Sequence, residues 1–186
     1  MEQQMASTTW NIDTSHSAIH FSVRHMVVSK TRGRFTKFSG QIAFDPEDAA
    51  KSSVQVTIEP GSVDTADAQR DAHLRSSDFF DVEKFPSASF RSTRVEDLGG
   101  DKYRITGDLQ VRDVVKPVSF DAIFEGSAKD PWGGERAGFS GTLSLDRRDY
   151  GLTWNKLLET GGVVVGDRVD LVLEVEAVKQ AAVKAA

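Results

Sequence analysis

The sequence predicts an all-β domain of about eight antiparallel strands, closed as an up-and-down barrel or folded as a sandwich, with one short helical segment over its end. Three observations predict it. Apolar side chains recur at every second position through most of the chain, which is the period of a half-buried strand. Turn residues separate the alternating runs. No long helical pattern is present to cover an open sheet, which favours a wall that closes on itself.

The elements follow in order. The opening "MEQQMASTTWNID" has no basic start and no apolar run, so it is not a secretory signal. Residues 1–9 read as a frayed lead. In "AIHFSVRHM" the positions Ile19, Phe21, Val23 and His25 share one face. Phe38, Gly40, Ile42 and Phe44 form the next row, after a break at Thr36 and Lys37 that fits a bulge. Val54, Val56 and Ile58 follow, with Gln55, Thr57 and Glu59 turned the other way. Asp64 or Thr65 can cap a helix in "DTADAQRDAHLRSS" (64–77), and Arg70, His73 and Leu74 share a face of it. The compact turn "DFFDVEKFP" carries Phe79, Phe80 and Phe85, which need burial, so the whole segment around 65–80 reads as a lid pinned to an apolar rim.

Strand rows resume at Ala88 and Phe90, then at Tyr103, Ile105, Gly107, Leu109 and Val111, with "LGGD" (98–101) as the tight turn between. "VKP" (115–117) places a proline at a strand entry. Val118, Phe120, Ala122 and Phe124 follow, then the longer turn "DPWGGER" (130–136), then Phe139, Gly141, Leu143 and Leu145. A second break at 146–162 holds Trp154, and Val169, Leu171, Leu173, Val175 and Ala177 close the series. Residues 179–186 read as a frayed tail, and the 186 residues as a single domain. Gly40, Gly107 and Gly141 lie on inward rows, where they either leave space or mark strand bends.

Composition excludes several function classes. The formal charge of −5 lacks the basic excess of nucleic-acid-binding domains and speaks against tight electrostatic docking on an anionic membrane. No cysteine is present, so disulfides and thiolate metal sites are excluded. No stretch approaches the roughly 18 apolar residues of a membrane helix, and stable membrane insertion is not expected. The chain reads as cytoplasmic; a processed form that reached the periplasm or was secreted would read the same. His16, His20 and His73 lack the tight spacing of a metal motif, and no metal is expected. There is no Gly-x-Ser-x-Gly elbow and no phosphate loop. Arg70 and Asp71, adjacent on a helix, point about 100° apart and do not converge on one substrate atom. Asp71 suits a bond to a neighbouring loop that holds the helix across the barrel end.

Three segments, "HSAIHFSVRHMVVSKTRGRFTKFSG", "RDAHLRSSDFFDVEKFPSASF" and "LDRRDYGLTWNKLLETGGVVVGDRVDLVLEVE", together resemble the YceI-like proteins. The middle motif, Arg-Asp-x-His-Leu followed by Asp-Phe-Phe-Asp and Phe-Pro, is the most specific. The resemblance implies an extended, lipocalin-like, eight-stranded antiparallel barrel. It implies a polyisoprenoid or isoprenoid quinone held inside, no further cofactor, and a homodimer. "VRDVVKP" (111–117) departs from the glycine-containing turn common in the family.

With that resemblance, the inner rows read as ligand lining: Phe21 and Val23; Phe38 and Ile42; Val56 and Ile58; Phe90 and Leu109; Phe120 and Phe124; Phe139 and Leu143. Phe79 and Trp154 join them at the rim. His25, Arg70 and His73 are the candidates for meeting a polar headgroup. The expected function is a non-catalytic carrier of an apolar amphiphile. The alternatives are an enzyme acting on an isoprenoid-like substrate, with those three residues as acid–base groups, and a structural module with a filled barrel.

Overall fold

Eleven strands and one helix build the protein, whose computed structural model describes residues 7–181. The strands are β1 (Thr8–Ile12), β2 (Ala18–His25), β3 (Ser29–Phe35), β4 (Phe38–Phe44), β5 (Ser53–Ile58), β6 (Val63–Asp64), β7 (Ala88–Gly99), β8 (Lys102–Val111), β9 (Val114–Lys129), β10 (Glu135–Asp146) and β11 (Val165–Lys179). Helix α1 (Ala68–Arg75) lies between β6 and β7.

Eight strands close the barrel, bonded in the order β1-β4-β5-β7-β8-β9-β10-β11 and back to β1. The remaining three, β2, β3 and β6, extend the wall from β11. Strand β11 serves both courses: Val165–Glu174 pairs with β2, and Ala177–Lys179 pairs with β1. At roughly 3.3 Å per residue its 15 residues span about 50 Å, which makes the barrel extended.

The eight runs read from the sequence include β2 and omit β1, β3 and β6. The ring closes instead through β1. Thr8 and Thr9, expected to fray, pair with Phe44 and Ala43. Lys179 pairs with Trp10, and the Gln180 amide donates to the Thr9 carbonyl at 2.8 Å. The outer parts of both expected frayed ends, 1–6 and 182–186, lie outside the described residues.

One end of the barrel is plugged. Trp10, Ile42, Phe44, Val95, Tyr103, Ile105 and Ala122 are buried there. The Phe44 ring meets Phe124 at 4.8 Å and lies edge-on to Tyr103 at 5.4 Å and Phe139 at 5.5 Å. Ala137 and Ala177 face each other across β10 and β11 at 1% and 0% exposure; two small side chains let the walls pinch together.

The other end is lidded. The Asp67 carboxylate caps α1 by accepting from the Arg70 amide at 2.9 Å. The cap is not Asp64 or Thr65, because Thr65 is engaged elsewhere. Its amide and hydroxyl both donate to Asp71 Oδ1, at 2.9 and 2.6 Å. Asp71 is only 7% exposed, so this carboxylate ties the helix to the incoming chain. Arg75 adds bonds to the Gly61 and Val63 carbonyls, at 2.7 and 3.0 Å. After the helix, Phe79 joins Tyr150 and Leu152 in a second buried cluster, and Phe80 lies edge-on to Phe35 at 5.8 Å.

Two local expectations change. Pro117 is the fourth residue of β9, opposite Asp108, and not the strand entry. The turn that lacks the family's glycine joins β8 to β9 through Arg112 and Asp113, with Arg112 at a φ of 58°. That left-handed conformation is costly for a residue with a Cβ. Arg112 is held there by the Phe85 ring at 5.5 Å and the Gly151 carbonyl at 3.2 Å.

Candidate functional site: an apolar channel under a polar mouth

Between plug and lid the inner rows do not fill the barrel. Phe38, Val56, Ile58, Phe90, Leu109, Phe120, Phe124, Phe139, Leu143, Leu171 and Leu173 all point inward yet remain half-buried. They surround a narrow cavity of about 150 Å³ whose exposed surface is wholly apolar. A second cavity of about 430 Å³ sits under α1 and opens at the mouth. Ile19 lines the first cavity, and Phe21, Val23 and His25 line the second. Since residues two apart in a strand face the same way, one row of β2 runs through both. The two cavities therefore follow one another along that row, the inner one wholly apolar and the outer one with polar groups at its opening; they have no lining residue in common.

All seventeen residues named from the sequence line one or other of these two cavities. Phe38, Ile42, Val56, Ile58, Phe90, Leu109, Phe120, Phe124, Phe139 and Leu143 line the inner cavity. Phe21, Val23, His25, Arg70, His73, Phe79 and Trp154 line the mouth. The inner wall also includes Ile12 from β1, and Leu171, Leu173 and Val175 from β11. The last three were legible as a period-two row but were not chosen as site residues.

The glycines separate into two kinds. A Cβ at Gly40 would lie 2.5 Å from the Gln55 carbonyl, and one at Gly107 2.4 Å from the Arg91 carbonyl. Both positions mark close approach of neighbouring strands. At Gly141 a Cβ would sit 3.4 to 3.5 Å from Asp121 and Phe120, at ordinary contact, and would face the cavity. Of these three inward-row glycines, Gly141 alone leaves free space.

At the mouth most polar groups have partners within the chain. Arg70 Nε donates to Thr65 Oγ1 at 2.8 Å and its Nη2 to the Thr65 carbonyl at 2.9 Å. His73 Nε2 lies 2.8 Å from Asp78 Oδ2, and its ring packs edge-on against Trp154 at 4.6 Å and Phe79 at 5.1 Å. The His25 ring, by contrast, has no hydrogen-bond partner among the described residues, although it lines the cavity.

Arg147 was missed in the sequence and organises the far side of the mouth. Its guanidinium is buried and donates to the carbonyls of Leu152, Gly166 and Trp154 at 2.7, 2.8 and 2.9 Å. This fixes the loop that carries Trp154. Burial lowers the Arg147 pKa, partly offset by Asp167 at 3.7 Å. The signal available was the period-two row of Phe139, Gly141, Leu143 and Leu145, which Arg147 continues.

Asp13, His16 and Glu176 also converge, at the plugged end. Arg136 already occupies the space between the two carboxylates. Its Nη1 bonds both Asp13 and Glu176, and its Nε lies 3.3 Å from Asp130. Hydrogen bonds from Ser15, Arg136 and His16 hold the Asp13 carboxyl well below its ordinary range. This is an ion-pair knot that ties β10, β11 and the start of the chain together.

A family model described as the YceI-like domain matches residues 10–177. The chain belongs to the YceI-like family. Among relatives it resembles, a UPF0312 protein of Vibrio parahaemolyticus is 42% identical over 173 residues, covering 91% of this chain and 86% of that protein. Another UPF0312 protein, from Shewanella denitrificans, is 43% identical over 165 residues, covering 88% and 84%. Of solved structures, BcnA from Burkholderia cenocepacia superposes with a TM-score of 0.79 at 27% identity, covering 89% of this chain and 98% of that one. The YCEI protein of Campylobacter jejuni gives 0.73 at 33% identity, covering 85% and 90%. A polyisoprenoid binding domain from Saccharophagus degradans shares the fold, with a TM-score of 0.68 at 16% identity and coverage of 94% and 99%.

Proposed function

We propose that this YceI-like protein is a non-catalytic carrier that buries the tail of a long apolar amphiphile, a polyisoprenoid or an isoprenoid quinone, in its barrel. The observation that carries the reading is the wholly apolar, slender inner cavity. Such a space offers water none of the two to four polar partners it needs. A compact polar metabolite would lose its hydration there without compensation. A hydrocarbon chain gains about 0.8 kcal/mol for each CH₂ moved out of water, less the cost of immobilising it. The polyisoprenoid binding domain of Saccharophagus degradans, which shares this fold, is in keeping with that chemistry.

The headgroup in this reading stays at the mouth, where the free His25 ring meets a quinone carbonyl or a polyprenyl oxygen. Support for carriage over catalysis comes from Arg70 Nε and Nη2 and His73 Nε2, which are engaged in bracing the lid. A homodimer, as the resemblance implies, is part of the proposal and is read by sedimentation equilibrium.

Phe120→Asp tests the reading by placing a charge in the apolar wall. The wild type, mixed with a prenylated quinone, should carry it through gel filtration; Phe120→Asp, with unchanged circular dichroism, should not. Equal retention by both would overturn the cavity assignment.

A further inference from the structure

The β2–β3 hairpin ends in Met26, Val27 and Val28, at 43%, 63% and 85% exposure. An exposed three-residue turn normally takes Gly, Asn or Asp. Here Met26 and Val27 hold φ angles of 51° and 66°, a region that a β-branched residue enters only at a cost. Local backbone chemistry therefore does not explain the apolar residues. The neighbouring loop adds Leu157, 81% exposed. The two loops are joined, since the Met26 amide donates to the Val164 carbonyl at 2.9 Å. They flank the channel opening, because His25, Val164 and Val165 line the mouth cavity.

Charge supplies an independent observation. Between Asp13 and Asp45 there is no acidic residue, but there are five cations: Arg24, Lys30, Arg32, Arg34 and Lys37. This occurs in a chain of net charge −5. Arg24 pairs across the hairpin with Lys30, and Ser22 with Arg32, so the cations share the ribbon's outer face behind the apolar tip. Arg24, Lys30 and Arg32 are exposed and have no ion pair among the described residues, whereas Arg34 bonds Asp64 at 3.1 Å. Two acidic groups share the cleft of Arg24 and Lys30, and both have arginine partners: Asp167 pairs with Arg148 at 3.3 Å, and Asp170, opposite Ser22, pairs with Arg168 at 2.7 Å. Asp67 lines the mouth cavity beside Arg70.

We propose that the β2–β3 tip docks reversibly on an anionic lipid surface, with Met26, Val27, Val28 and Leu157 entering the interface and Arg24, Lys30 and Arg32 meeting headgroup phosphates. An apolar tip behind which cations gather matches the interfacial region of a bilayer, where hydrocarbon lies beneath negative charge. The whole-chain charge, which argues against such docking, averages away the local excess. The docked orientation sets the channel mouth at the membrane, where an apolar ligand enters and leaves without crossing water. That purpose rests on the carrier reading; the docking itself does not.

The test is sedimentation of the full chain with phosphatidylcholine vesicles, with and without phosphatidylglycerol. Three unpaired cations predict on the order of a hundredfold tighter binding to the anionic vesicles. Lys30→Gln with Arg32→Gln should weaken it on the order of tenfold, and Val28→Asp with Leu157→Asp should abolish it. The fluorescence of Val28→Trp should shift to the blue on anionic vesicles. No vesicle binding, binding indifferent to these substitutions, or an unshifted Val28→Trp would overturn the proposal. So would a wild-type dimer that Val28→Asp dissociates without any vesicle binding, which would make the tip an interface between two copies. Quinone retention by Val28→Asp with Leu157→Asp, measured in parallel, separates the two readings: loss of docking with retention intact removes only this one.

Discussion

Filling the channel should stabilise the protein while abolishing its ligand binding. Gly141 is the position for this. A Cβ there meets only ordinary contacts and faces the cavity of about 150 Å³. Gly141→Leu adds four carbons. At about 0.8 kcal/mol per buried methylene, full burial would contribute about 3 kcal/mol. Fixing the new rotamer removes about 0.5–1 kcal/mol, leaving about 2 kcal/mol. For a domain of 186 residues this raises Tm by roughly 4–8 °C. The assay is thermal unfolding with and without a prenylated quinone. Ligand at 100 times its Kd adds about 2.7 kcal/mol to the wild type, and the variant should show no such increment. Two results refute the reasoning. A destabilised variant means the wall has no room; a variant that still gains stability from the quinone means the ligand lies elsewhere.

Other expectations follow from individual contacts. Asp71→Ala leaves the Thr65 amide and hydroxyl without their acceptor, at a cost of about 2–3 kcal/mol. Urea unfolding should show the loss, and hydrogen exchange should show faster opening of α1 than of the barrel. Arg147→Met frees the Leu152, Trp154 and Gly166 carbonyls, which should cost about 2–4 kcal/mol and change the near-ultraviolet signal of Trp154. Arg136→Gln should make the protein more acid-sensitive. The folded Asp13 carboxyl is depressed by Ser15, Arg136 and His16, so its contribution is fully present above its unfolded value of about 3.9. That contribution drains away as pH falls towards the folded value. Without Arg136 the folded value rises, and the acid-unfolding midpoint should move to higher pH.

Much of the channel was legible because period-two patterning reports which side of a strand is greasy. Phe38 to Phe44 and Phe120 to Phe124 read directly as inner rows, and the structure puts them there. Strand β3 escaped because its inward positions are Ser29, Thr31, Gly33 and Phe35, while Lys30, Arg32 and Arg34 alternate outward. Its period is carried by charge, not by hydrophobicity. Strand β1 escaped for want of length: five residues give too few repeats to separate a strand from a lead. Its pairing is long-range, with β4 and β11, and no local signal records it. The helix boundary slipped for a chemical reason. Asp64, Thr65 and Asp67 are all competent caps, and Asp71 decides among them by capturing Thr65. Arg147 continues the period-two row of Phe139, Gly141, Leu143 and Leu145, so its inward side was legible, but the carbonyls that receive its guanidinium come from a loop that only the closed barrel brings near. The hollow itself was not written in the pattern, since a filled barrel would alternate in the same way.

The most direct measurement is to extract the purified protein with organic solvent and weigh what emerges by mass spectrometry. The carrier account predicts about one intact isoprenoid amphiphile per chain, and its disappearance from Phe120→Asp prepared in parallel. Extracts that contain no such lipid from any expression host, or the same amount from both proteins, would contradict it.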